Sequence, residues 1–77
     1  MENVDTIICN AYLVSILKLD AKILYGSVVE DFKGRFSQGS CVRTSEIISI
    51  DMQNQLFHTR YSTYLAKGNI KEVTVNM

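Results

Sequence analysis

The chain reads as all-β, a small five-stranded antiparallel barrel of the SH3-like kind, on three observations. Val, Ile and Thr supply 20 of the 77 residues, and four Tyr and three Phe join them, a composition suited to a pleated, half-buried surface. Apolar runs of strand length alternate with turn residues at intervals of about 8–12 residues, the rhythm of a meander. A flat sheet of this size would leave one apolar face wet and two edges open, and curling into a barrel covers both. An OB-like barrel is the alternative closure. An α+β fold with an N-terminal helix is the alternative class.

The first element runs from Thr6 to Leu19. If it is extended, Ile7, Cys9, Ala11, Leu13, Ser15 and Leu17 share one face, and Ile8, Tyr12, Val14 and Ile16 the other. Both faces are apolar, so periodicity leaves strand and short helix open, and the β-branched content favours strand. Asp20-Ala21-Lys22 marks a turn, and Ile23 to Glu30 a second strand in which Gly26 signals a bulge or a close backbone approach. Two further turns follow, Asp31 to Gly34 and Ser37 to Ser40. Cys41 to Ile50 is the third strand, Asp51 to Asn54 a hairpin loop, and Leu56 to Ala66 the fourth strand. Lys67-Gly68-Asn69 reads as a last turn before a fifth strand, Ile70 to Val75. Leu13, Ile23, Val28, Val42, Ile47 and Leu65 are the expected core.

Length allows one small domain, residues 1–77, whose thin core buries roughly 60% of the unfolded surface. A partner surface would add burial, and the two-faced first strand offers an apolar stripe of Ile8, Tyr12, Val14 and Ile16, so a homo-oligomer is expected. Eight basic and eight acidic residues cancel, which removes any bulk pull toward nucleic acid or anionic membrane. The acidic start and the lack of a long apolar run point to a cytoplasmic protein with no membrane partner. Cys9 and Cys41 are expected to be reduced and buried.

No residue set for catalysis emerges. Cys9, Cys41 and the single histidine, His58, are scattered without metal-ligand spacing, so no metal and no cofactor is expected. Gly34 and Gly39 form no phosphate-binding fingerprint, and Ser45 and Ser62 lie in no nucleophile elbow. Glu30 and Asp31 are strand neighbours that point to opposite faces. The polar groups that stand out are three arginines and their neighbours: Arg35, Arg43 and Arg60, with Ser45, Ser62, Tyr61 and Tyr64. Arginine forks suit carboxylates and phosphates, and tyrosine beside arginine suits either a protein hot spot or base stacking. The bland reading gives Gly34 and Gly39 to turns, Phe36 to a barrel plug and Asp31 to loop amides or Arg35.

The stretch from Asp31 to Ile47 has the form D-x-x-G-R-F-x-x-G-x-x-V-x-T-S-x-I, and Thr59 to Tyr64 follows as T-x-x-S-x-Y. This pattern resembles a group of small proteins encoded by phages, prophages and other mobile elements, short β-rich proteins without an assigned activity. The likeness covers about Gly26 to Leu65. It implies a mobile-element setting and says nothing of chemistry. The expected function is a non-enzymatic protein-binding module whose ligand is a host protein, a phage protein or its own copy. Net neutrality makes nucleic-acid binding through Arg and Tyr the alternative.

Overall fold

β-Branched and aromatic residues put Thr6–Ile16 in a long strand, β1, in the computed structural model, which describes residues 4–76. A short 3-10 turn, Leu17–Leu19, ends on Asp20 in the left-handed conformation (φ 50°) and returns the chain as β2, Ala21–Asp31. Four further strands follow: β3 (Cys41–Arg43), β4 (Ser49–Asp51), β5 (Leu56–His58) and β6 (Thr63–Val75). Among the described residues they make one sheet in the order β3-β2-β1-β6-β5-β4. All neighbours are antiparallel except β1 and β6, which run parallel from Thr6 beside Tyr64 to Ile16 beside Val75.

The expected five-stranded antiparallel barrel is therefore corrected: six strands form an open sheet with a parallel pair at its centre. The first element is strand, not helix. The third and fourth expected strands each break in two. The turn expected at Lys67–Asn69 does not reverse the chain, because β6 runs through it. Gly68 instead takes φ 78° where Gly68 and Asn69 face Asn10 alone across the parallel pair.

The sheet is nevertheless strongly rolled. Ile47 donates its amide to Lys22 O on β2 (2.8 Å), and the next amide, Ile48, donates to His58 O on β5 (2.7 Å). Consecutive residues lie about 3.8 Å apart, so these two carbonyls are within about 9 Å. Across a flat sheet β2 and β5 would stand three spacings, about 14 Å, apart. The run from Cys41 to Asp51 thus reaches both edges of the sheet while no ladder joins them.

The roll encloses Ile8, Ala11, Leu13, Leu24, Val28, Val42, Ile47, Phe57, Tyr64 and Ala66, with Phe36, Ile50 and Ile70 packed around them. Four of the six expected core residues are buried, and Ile23 and Leu65 are half-buried on the outer face. A bulge explains the double apolar pattern of β1. Asn10 sits at φ 52°, and Asn10 and Ala11 together face Gly26 on β2. The extra residue moves the inward set from Thr6 and Ile8 to Ala11 and Leu13. Ile8 is thereby inside rather than on the outer stripe.

Gly26 is needed at this bulge because β1 comes too close for a side chain. A Cβ there would stand 2.8 Å from Ile8 Cδ1 and 3.1 Å from Cys9 O. Gly26→Ala is expected to cost about 1–3 kcal/mol, the range for overpacking a filled core. Urea melts of Gly26→Ala alone and with Ile8→Val check the cause. Removing Cδ1 should recover part of the loss.

Candidate functional site

Asp31 ends β2 and organises the loop that follows. Gly34, at φ 71°, bends the backbone so that successive amides turn back on the Asp31 carboxylate. Arg35 N (2.5 Å) and Phe36 N (2.9 Å) donate to Oδ2; Lys33 N (3.3 Å) and the Thr6 hydroxyl (2.8 Å) donate to Oδ1. The side chain is wholly shielded from solvent, and the Arg35 guanidinium stands 3.5 Å away. Burial pushes the Asp31 carboxyl up. The Thr6 hydroxyl and the three amides outweigh it and hold the group down at about 2. The loop is an anion cradle occupied by the chain's own carboxylate.

Arg35 reaches on from Asp31 to Ser62 Oγ (2.9 Å) and Thr6 Oγ1 (3.0 Å) and lies over the Phe36 ring at 4.8 Å. Lys33 Nζ donates to Tyr61 O (2.7 Å) and Ser62 Oγ (3.3 Å) and stands 3.8 Å from Asp5. The receiving segment is a tight turn. Thr59 N donates to Ser62 O, and Thr59 Oγ1 accepts from the amides of Tyr61 and Ser62. Asp5 Oδ2 fixes its far side by accepting Thr63 N at 2.8 Å. Loop 31–36, the start of β1 and the turn before β6 are thus tied into one polar knot.

The seven residues expected to bind divide accordingly. Arg35 is committed to the knot. Ser62 is buried beneath it, and Tyr64 lies in the core at 6% exposure, so neither offers a surface. Arg43 is exposed on β3 beside Tyr25, on the rim of the sheet. Ser45, Arg60 and Tyr61 come together and line an open cleft of about 580 Å³ with Glu46, Ile47 and Ile48. Tyr61 is 70% exposed and Ile48 66%, whereas Ile47 beneath them belongs to the core.

Both walls of this cleft are held by hydrogen bonds. Thr44 N donates to Leu24 O, and its hydroxyl accepts Leu24 N (3.0 Å) and donates to Ser45 O (2.8 Å), so the chain leaves β3 at Ser45 in a fixed direction. Arg60 and Tyr61 occupy the middle of the Thr59–Ser62 turn. Glu46 and Ile48 carried no site signal of their own, because alternation over Cys41 to Ile50 makes both ordinary members of one strand face, and that strand breaks between Arg43 and Ser49. Lys33 and Thr6 were missed for the opposite reason: they act on segments far away in the chain.

Cys9 is half-buried and Cys41 exposed; both are free thiols. Among the described residues no three His, Cys, Asp or Glu side chains gather as metal ligands, and no helix is long and apolar enough to cross a membrane. A family model described as a domain of unknown function (DUF6957) matches residues 15–77. No curated protein and no solved structure matches the chain.

Proposed function

We propose that this chain, which belongs to the DUF6957 family, is a small non-enzymatic binding module that holds a protein partner in the Ser45–Arg60–Tyr61 cleft. One observation carries the reading: Tyr61 and Ile48 stand largely exposed in the cleft that Arg60 also lines, on segments whose backbones are already fixed. Tyrosine and arginine dominate protein hot spots, and a pre-ordered loop loses little entropy on binding. A partner with an apolar knob for Tyr61 and Ile48 and a carboxylate for Arg60 fits the lining. The mobile-element setting rests on the Asp31–Ile47 and Thr59–Tyr64 pattern, and in that setting the partner is a host or phage protein.

Nucleic-acid binding is the weaker reading. Arg35 and Lys33 are turned inward onto Asp31, Ser62 and Asp5, and Glu46 sits in the cleft beside Arg60. Too few free cations remain around the cleft to follow a phosphate backbone.

Affinity capture on the wild-type chain, with Tyr61→Ala and Arg60→Ala in parallel, tests this. A protein held by the wild type should bind either variant at least about thirtyfold more weakly, the loss of about 2 kcal/mol or more that marks a hot-spot side chain. Circular dichroism of both variants should match the wild type. Equal binding by all three chains would move the site elsewhere. Retained nucleic acid with a steep salt dependence would favour the other reading.

A further inference from the structure

Among the described residues, β6 beyond Ala66 has a neighbour on one side only, β1. On its far side β5 pairs only with Thr63, Tyr64 and Leu65, and Ala66 N reaches Gln55 O. The Gln55 side chain then caps Ala66 O and Gly68 O, the second at 3.0 Å. From Asn69 to Val75 no described residue donates to or accepts from the backbone on that side. An edge of this length is a template for another strand.

We infer that β6 pairs antiparallel, edge to edge, with β6 of a second copy of this chain. The strand meets the requirements of its own edge. Lys71, Val73 and Val75 face outward beside Tyr12, Val14 and Ile16, their partners on β1; Glu72 and Thr74 lie on the opposite face. A two-fold axis perpendicular to the sheet keeps these faces in step, so the apolar outer face continues from one copy to the next. It also allows only pairings between residues of one face.

The register follows. Ile70 packs on the core, as does Ala66, whose amide points toward β5; alternation therefore turns the amides of Ile70, Glu72 and Thr74 to the free edge. An axis at Lys71 or Glu72 would set like charges directly opposite each other, which is destabilising. An axis at Lys71 would also push Gln55 of the second copy against Thr74 and Asn76. With the axis at Val73, Glu72 meets Thr74 of the second copy as a hydrogen-bonded pair, Lys71 meets Val75, and the two β5 strands stay clear. Val73 then faces itself across a non-hydrogen-bonded pair. It is 38% exposed, so changing it leaves the core untouched. The association goes beyond the cleft reading and uses none of its residues.

Sedimentation equilibrium from ten to several hundred micromolar, with Val73→Lys alongside, tests the pairing. The wild type should dimerise, and Val73→Lys should weaken the dimer at least about tenfold with an unchanged circular dichroism spectrum, because two ammonium groups then meet on the axis. Opposed residues in such a pair lie about 4.5 Å apart, within disulfide reach. In a Cys9→Ser, Cys41→Ser chain, Val73→Cys should therefore cross-link on mild oxidation and Lys67→Cys should not. A monomer at every concentration would overturn the inference. So would a dimer indifferent to Val73→Lys, which would place the contact on another surface.

Discussion

Asp31→Asn should remove about 3–5 kcal/mol of stability, the cost of breaking a buried, paired charge. Each carboxylate oxygen accepts from two donors, the Thr6 hydroxyl and Lys33 N on Oδ1 and the amides of Arg35 and Phe36 on Oδ2. An asparagine can accept at one atom only, and its NH₂ group must then point at two N–H or O–H donors. The substitution also leaves Arg35 without its carboxylate. A 77-residue domain holds about 4–12 kcal/mol in all, so the urea midpoint should fall by 1 M or more. The pH dependence identifies the cause. Asp31 lies at about 2 in the folded chain against an ordinary 3.8. A depressed carboxyl stabilises fully above the unfolded value and loses that contribution as pH falls through the folded one. The gap between wild type and Asp31→Asn should therefore be constant above about pH 5 and narrow between about pH 4 and 2. A gap independent of pH would show that shape, not charge, was lost.

Phe57→Ala should cost about 3–5 kcal/mol, as for a large aromatic taken from a filled core. Phe57 is the largest side chain with no exposure, on a strand of three residues between Ile50 of β4 and Tyr64 of β6. So short a ladder has few backbone bonds, and the ring is what fixes β5 in the roll. At about 4–8 °C per kcal/mol for this size, the melting temperature should drop by 12 °C or more. Hydrogen exchange should locate the damage. The amides of Ile48 and Ala66, bonded to His58 and Gln55 on either side of the ring, should open before those of the β1–β2 hairpin. Uniform loss of protection would mean that the sheet unfolds as one unit.

The Asp31 knot also accounts for the pattern that stands out in the sequence. Asp31 is the anion, Gly34 the bend, Arg35 the tie to Thr6 and Ser62, and Phe36 a lid on the core. Gly39 donates to Val28 O, Val42 and Ile47 are core residues, and Thr44 bonds both the N–H and the C=O of Leu24 on β2. Thr59 and Ser62 close the turn that carries Arg60 and Tyr61. Such a pattern marks a way of folding, and the residues left for recognition are those it does not employ.

Composition and spacing alone determined the all-β class, the strand character of β1 and β2, the turns at Asp20, Gly34 and Gly39, the tight approach at Gly26 and most of the core. Each is a local property, a propensity or a positive φ, that a residue carries wherever it lies. The sequence also carried the apolar surplus of β1, though not its division between faces. Only the tertiary structure decided that Asn10 shifts the inward set, since a bulge needs the partner strand to define it. It alone put β6 parallel to β1, turned Gly68 from a reversal into a kink, and left the far side of β6 open. The same holds for the arginines. Arg35 and Arg60 are equivalent as side chains, and what separates them is Asp31, Thr6 and Ser62 converging on one guanidinium and not on the other. That convergence joins segments up to 29 positions apart, a distance over which no local pattern in the chain carries information.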